Sequence, residues 1–133
     1  MSLTYRVDVP SGLIVTCGTG SVTDEDVVAK ERSLHSDPAA RSCRFELLDL
    51  REVERFSVSG ETMRRLAEMH AETAEGLRKS RVAVIALSDA TFGMWRMYQA
   101  LVEGSGLDVK VFRELGEARA WLGVDPQVEV SKR

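Results

Sequence analysis

The segment from Arg44 to Leu66 begins with a hydrophobic run and predicts a strand, a short connection and a helix. The apolar residues of this strand are Phe45, Leu47, Leu48 and Leu50. A strand that is apolar on both faces is typical of the middle of a sheet, because a half-exposed strand alternates with polar residues. We therefore expect this segment to be the central strand, followed by a helix that begins at Ser59-Gly60.

Four further segments have strand patterns. Residues 5–9 alternate between apolar and polar side chains, and Pro10-Ser11-Gly12 supplies turn residues before the apolar run 13–17, which together predict an opening hairpin. Residues 82–86 are apolar on both faces, as in a central parallel strand. Residues 107–111 alternate again and predict an edge strand with one exposed face.

Three predicted helices share one start signal, an N-cap with an apolar residue before it and another four positions after it. The caps are Thr23, Ser59 and Ser88, and the apolar pairs are Val22 with Val27, Val58 with Met63, and Leu87 with Phe92. The first helix is expected from about Asp24 to His35, and Asp37-Pro38 should stop it. The second should bury one stripe, which consists of Met63, Leu66, Ala67, His70, Ala74 and Leu77. Ala118, Trp121 and Leu122 predict a short closing helix.

This order of elements predicts an α/β fold with right-handed crossovers. We expect a single five-stranded, mostly parallel sheet with a first antiparallel strand and four helices. A chain of 133 residues fits one domain covering residues 1–133. Residues 125–133 are mostly polar and are expected to form a flexible tail.

Composition narrows the function classes. A formal net charge of −3 gives no basic footprint for nucleic acid. The apolar runs are far shorter than the roughly 20 residues of a membrane span, and no signal segment is evident, so we expect a cytoplasmic protein. Cys17 and Cys43 lack metal or redox spacing and are expected to be buried. No catalytic, metal or cofactor motif accompanies His35 or His70, so we predict a non-enzymatic protein.

One stretch resembles a known family. Leu48-Asp49-Leu50, Val53 and Ser57-Val58-Ser59-Gly60 are similar to the STAS pattern of anti-sigma factor antagonists, an Asp-Leu strand followed by an Asp-Ser-Ser-Gly helix start. The chain is also similar to the SpoIIAA-like, STAS/SEC14-type group through Arg81-Val82-Ala83-Val84, Phe92-Gly93, Arg96, Val111-Phe112 and Glu117-Ala118-Arg119-Ala120-Trp121-Leu122. The resemblance implies that Ser59 matches a phosphorylated Ser, while Ser57 stands in place of the Asp of that pattern.

Two polar candidates follow. Ser59, Gly60 and Ser57 are a candidate phosphoacceptor or anion site, because a helix N-terminus offers N–H donors and a positive dipole. Capping of the helix by Ser59 alone is the alternative. Asp49 is expected to be a carboxylate at the end of the central strand that accepts backbone N–H groups. The glycines of residues 18–21 are expected to form a tight strand-to-helix turn, since they lack a nucleotide-loop pattern.

The third helix carries more apolar residues than one stripe can hold. Its periodicity places Met94, Met97, Tyr98 and Leu101 on the core face. The remaining candidates for an interface or ligand patch are Phe92, Trp95, Arg96, Gln99 and Val102. An exposed apolar flank predicts a homodimer interface, a groove for an apolar ligand, or packing against another helix.

Two functions remain open from the sequence. The first is a STAS-like regulatory or protein-interaction domain, homodimeric and switched at Ser59, whose partner would be a kinase or an anti-sigma-like regulator. The second is a carrier or sensor for a lipid or other apolar small molecule, suggested by the aromatic and Met content of the third helix.

Overall fold

The computed structural model describes residues 2–72 and 80–124. The strands are β1 (Leu3–Asp8), β2 (Leu13–Thr23), β3 (Phe45–Ser57), β4 (Arg81–Ile85) and β5 (Asp108–Phe112). The helices are α1 (Asp24–Ser36), α2 (Pro38–Arg41), α3 (Gly60–Glu72), α4 (Asp89–Leu101) and α5 (Leu115–Leu122). Ala74 and Leu77, predicted on the stripe of the second long helix, and the predicted tail of residues 125–133 lie outside the described residues.

The described strands form one five-stranded sheet in the order β1-β2-β3-β4-β5. β1 pairs antiparallel with β2 and every other pair is parallel, so the predicted mixed sheet is confirmed. The described residues contain five helices instead of the four predicted. The additional helix is α2, which follows α1 at once because Asp37 caps it and Pro38 suits the first helical position.

β3 is the central strand, as predicted, and both of its faces are covered. Leu48 and Leu50 pack against α1, α3 and α4, while Leu47 packs on the other side with residues of α5. All three side chains are buried. The two helical layers therefore enclose the middle of the sheet, and β5 lies at its margin as predicted.

β2 and β3 are longer than predicted, because their parallel ladder continues past the other strands. Its pairs run on from Thr19 with Glu52 to Thr23 with Ser57, and register shifts interrupt it twice. The prediction that residues 18–21 form a strand-to-helix turn is therefore wrong. Gly18 lies inside β2, where a Cβ would come within 2.8 Å of Val53 Cγ2 and 2.9 Å of Leu50 Cδ2. Glycine fits here because the side chains of Val53 and Leu50 occupy the space that a Cβ would take.

The helix starts follow the predicted caps. Thr23 accepts a hydrogen bond from the Asp26 N–H, Ser59 from the Thr62 N–H and Ser88 from the Thr91 N–H. The predicted apolar contact between Leu87 and Phe92 around Ser88 is wrong, because the Leu87 side chain is 55% exposed. The guanidinium of Arg113 instead lies 4.2 Å from the ring centroid of Phe92.

α4 is rotated relative to its predicted orientation. Its buried residues are Thr91, Trp95 and Tyr98, and Val102 follows them as the C-cap. Leu101, predicted in the core, is 39% exposed. Trp95 packs 6.1 Å from Phe56 and 5.3 Å from Tyr98, measured between ring centroids. The unpredicted extension of β3 places Phe56 beneath α4, and burying the large Trp95 ring against it sets the rotation of the helix.

This rotation corrects the predicted interface or ligand patch. Trp95 and Val102 are only 5% and 2% exposed, so they belong to the core and not to a surface. Phe92 and Gln99 are half-buried, and Arg96 is exposed. An exposed apolar flank composed of these five residues is therefore absent from α4.

The close approach at Gly18 gives a stability prediction. Gly18→Ala should lower the free energy of unfolding by about 1–3 kcal/mol, because Leu50 and Val53 must move to admit the methyl group. Gly93→Ala, in α4 where a Cβ meets no atom within 4 Å, should raise it by about 0.5–1 kcal/mol. Urea unfolding of both variants measures the difference. Equal effects would contradict the steric account.

Candidate functional site

Ser59 lies at the start of α3 with its side chain exposed. The Ser59 Oγ accepts a hydrogen bond from the Thr62 N–H at 3.1 Å and lies 3.1 Å from the Thr62 hydroxyl. This is the geometry of an N-cap, which satisfies one of the free N–H groups of the first helical turn. The hydroxyl is thus both a structural cap and accessible from solution.

Asp24, the first residue of α1, connects the two helix starts. The Ser59 N–H donates to Asp24 Oδ1 at 2.8 Å, and the Ser59 hydroxyl lies 3.5 Å from Asp24 Oδ2. The two helices begin side by side because the β2–β3 ladder ends at the pair Thr23–Ser57. A carboxylate of one helix therefore contacts the cap of another, 35 residues apart in sequence.

The other residues of this predicted site have different roles. Ser57 is the last residue of β3, exposed and paired with Thr23. Gly60 is the first residue of α3, where a Cβ would lie 3.6 Å from Met97 Cε and 3.9 Å from Arg64 Nη1. These are ordinary contact distances, so the packing does not require glycine there. The guanidinium of Arg64 lies near the start of the helix.

Ser88 provides a comparison within the same chain. Its hydroxyl accepts from the Thr91 N–H at 3.2 Å and lies 2.8 Å from the Thr91 hydroxyl, the same cap arrangement as at Ser59. The neighbouring Asp89 pairs with Arg113 at 2.8 Å. What distinguishes Ser59 is therefore the contact with Asp24, because the two caps are otherwise alike.

Asp49 is not at the end of a strand, because β3 continues to Ser57. It is the last β3 residue that pairs with β4. Its Oδ1 accepts from the Arg51 N–H at 3.1 Å and from Arg51 Nε at 2.9 Å, and its Oδ2 accepts from Arg51 Nη2 at 2.8 Å. The hydrogen bonds to Asp49 raise the pKa of Arg51. This bidentate ion pair with Arg51 compensates the charge of the Asp49 carboxylate.

A buried charged cluster was missed by the sequence analysis. Lys30 Nζ lies 2.7 Å from Glu46 Oε2 and 2.9 Å from Glu31 Oε1. The Thr16 hydroxyl donates to Glu46 Oε2 at 2.8 Å. Glu46 is only 1% exposed and Lys30 9% exposed. The available signal was a single Glu inside a strand predicted to be buried on both faces.

Tyr98 lies close enough to this cluster to interact electrostatically with Glu31, Lys30 and Glu46. Burial is the main cause that raises the pKa of Tyr98 above its usual value. Burial therefore favours the neutral phenol of Tyr98. The cluster thus combines paired charges and hydrogen bonds in the core.

Two cavities border α4. An enclosed cavity of about 10 Å³ adjoins Lys30, Glu31, Phe56 and Trp95. The Trp95 Nε1 is buried without a hydrogen-bond partner in the described part of the chain. An open groove of about 590 Å³, the α4–β5 groove, is lined by residues that include Arg96, Gln99, Glu103, Leu107, Asp108 and Val109.

Within residues 2–72 and 80–124, no group of three His, Cys, Asp or Glu side chains is arranged to hold a metal ion. None of the helices in these two ranges combines the length and apolar character that crossing a bilayer demands.

The buried ion pair gives a second stability prediction. Lys30→Met should lower the free energy of unfolding by about 3–5 kcal/mol, because it removes the ammonium that lies 2.7 Å from the buried Glu46 carboxylate. Adding Glu46→Gln to Lys30→Met should restore at least half of the loss, since the amide is uncharged and its oxygen still accepts from Thr16. Urea unfolding measures both variants. A loss below about 1 kcal/mol in Lys30→Met would exclude a strong pair.

The overall architecture is similar to a solved structure. An uncharacterised protein of the DUF3478 family with a SpoIIAA-like fold, from Shewanella loihica PV-4, superposes with a TM-score of 0.61 at 18% sequence identity. The match covers 91% of this chain and 94% of that chain. No family model and no curated protein matches the sequence significantly. At this identity the likeness concerns the fold alone. The chain has a SpoIIAA-like fold, which confirms the architecture implied by the resemblance.

Proposed function

We propose that this chain is a non-enzymatic, STAS-like regulatory domain that acts by protein–protein contact and is switched by phosphorylation of Ser59. The observation that carries the proposal is the exposed Ser59 hydroxyl at the start of α3, held next to the Asp24 carboxylate of α1. The STAS-like pattern around Ser59 and the SpoIIAA-like fold support the same assignment.

The surroundings of Ser59 suit a phosphoryl acceptor. The exposed hydroxyl is accessible to a kinase, and the first turn of α3 offers a positive dipole and N–H groups to a bound phosphate. Arg64 adds a positive charge near this terminus. These features favour a phosphoserine that remains at the start of α3.

The same phosphoryl group would disturb the start of α1. Asp24 Oδ2 lies 3.5 Å from the Ser59 hydroxyl, so a charge of about −2 would be added against an existing carboxylate. Repulsion separates Asp24 from the cap and breaks the contact that joins α1 to α3. A partner that binds across the two helix starts would then distinguish the modified protein from the unmodified one. We assign this role to an anti-sigma-like regulator or to the kinase itself.

The second candidate function is a carrier for an apolar molecule, and the observation that favours it is the enclosed cavity with apolar walls beside Phe56 and Trp95. That cavity measures about 10 Å³, which is close to the space of one water molecule. An acyl chain would require the core around Phe56 and Trp95 to repack. Protein contact is therefore the better supported function.

Organic extraction of natively purified protein should yield no stoichiometric apolar molecule.

Phosphorylation is tested by mass spectrometry of protein isolated from its own cells. We expect a fraction carrying one added phosphoryl group, mapped to Ser59. Ser59→Ala should abolish this species, while Ser88→Ala should retain it. Each substitution removes an equivalent cap and costs about 1 kcal/mol, so a stability effect cannot imitate the result. Absence of the species across growth conditions would contradict the switch.

The role of Asp24 is tested by hydrogen exchange. Ser59→Asp keeps a good N-cap residue but places a second carboxylate beside that of Asp24. Repulsion between them should weaken the hydrogen bond from the amide of residue 59 to Asp24, so this amide should exchange faster. Combining Ser59→Asp with Asp24→Asn removes the opposed charge and should slow exchange again. Ser88→Asp should leave the amide of residue 59 unchanged. Unaltered exchange in Ser59→Asp would show that charge at this position does not separate α1 from α3.

A further inference from the structure

β5 has one open edge in the described part of the structure. It pairs with β4 on one side, and none of the described strands pairs with the other side. The Asp108 N–H donates to the Ser80 carbonyl at 2.8 Å, and the Phe112 carbonyl accepts from the Ala86 N–H at 3.0 Å. The direction of the backbone N–H and C=O groups alternates along a strand. Asp108 and Phe112 therefore direct their N–H and C=O groups toward β4, while Val109 and Val111 direct theirs away from the sheet.

We propose that a second copy of this chain pairs with this edge. The two β5 strands run antiparallel about a two-fold axis at Val109, and they join the two sheets into one continuous sheet. A two-fold contact of this kind uses the same surface on both copies, and it satisfies the outward N–H and C=O groups of Val109.

The charges along β5 select this register. An axis at Asp108 would set two carboxylates against each other, and an axis at Lys110 would set two ammonium groups against each other. Like charges directly opposite in an antiparallel pair are destabilising. An axis at Val109 instead places Asp108 opposite Lys110 of the partner subunit, and symmetry creates this pair twice. The Val109 register is therefore the charge-complementary one of the three.

The side chains are placed to make these pairs. Asp108 and Lys110 are exposed, while Val109 and Val111 are buried on the opposite face of the sheet. The Lys110 ammonium lies 5.5 Å from the ring centroid of Phe112, on the same sheet face as Asp108. In the proposed register Asp108 and the partner's Lys110 form a non-hydrogen-bonded pair. Side chains approach most closely in such pairs.

The neighbouring helix has the same self-complementarity. Arg96 and Glu103 both line the α4–β5 groove, which is open beside this edge. They are seven residues apart, so they lie two turns apart on one stripe of α4 and its C-terminal turn. A two-fold axis reverses the direction of the second α4, which brings Arg96 towards Glu103 of the partner subunit. Opposite charges thus meet on both faces of the joined sheet.

Lysine on an edge strand often serves to prevent pairing. The pattern here differs because Asp108 stands two residues from Lys110 on the same face, so a second copy supplies each charge with its opposite. A single lysine on an edge strand would instead lie opposite the same lysine of the second copy or opposite an uncharged residue. The proposal requires nothing of Ser59, and its failure would leave the phosphorylation proposal intact.

Light scattering after size-exclusion chromatography, over a range of protein concentrations, tests the contact. The wild-type chain should have twice the mass of one chain. Lys110→Asp replaces each of the two symmetry-related Asp108–Lys110 pairs by two opposed carboxylates. It should raise the dimer dissociation constant by on the order of tenfold or more. The double variant Asp108→Lys with Lys110→Asp exchanges the charges and should restore the dimer.

Glu68→Lys is the control, because it reverses an exposed charge on α3 away from β5. It should leave the mass unchanged, and circular dichroism should show all variants folded. A monomeric wild-type chain at every concentration overturns the proposal and leaves the edge to another occupant. A dimer that persists unchanged in Lys110→Asp overturns it as well, because the contact would then lie elsewhere.

Discussion

The parallel ladder between β2 and β3 is the constraint on which most of this structure depends. It continues beyond the neighbouring strands to the pair Thr23–Ser57 and so brings the starts of α1 and α3 together. The contact between Asp24 and Ser59 exists only because of this ending. The same extension carries Phe56 beneath α4, where the Trp95 ring packs against it. One pairing therefore positions both the candidate switch and the core face of α4.

The polar groups beneath the helices show a second constraint. Glu46 is inside a central strand, where an isolated carboxylate would be costly, and it is compensated by Lys30 and Thr16. Lys30 extends from α1 into the same layer and also contacts Glu31. Burying such a pair adds little net stability compared with an apolar pair. It does require α1, β2 and β3 to meet in one relative position, which favours a single packing of the core.

The two proposed functional regions use different parts of the fold. The Ser59 region lies at the end of the longest strand pair, where two helix starts converge and the Ser59 hydroxyl lies 3.5 Å from the Asp24 carboxylate. The β5 edge depends on backbone groups left open by the end of the sheet and on charges that complement themselves under two-fold symmetry. The proposed switch and the proposed assembly would therefore use separate regions of the fold. Neither region requires catalytic chemistry.

The sequence by itself determined the elements and their order. The apolar run around Leu47 predicted the central strand, the caps at Thr23, Ser59 and Ser88 predicted three helix starts, and alternation at residues 107–111 predicted the edge strand. These features are local, because periodicity and capping depend on near neighbours along the chain. Only the tertiary structure decided the length of the β2–β3 ladder, the burial of Glu46 and Trp95, and the contact of Asp24 with Ser59. Each of these depends on residues distant in sequence, so no local pattern specifies it.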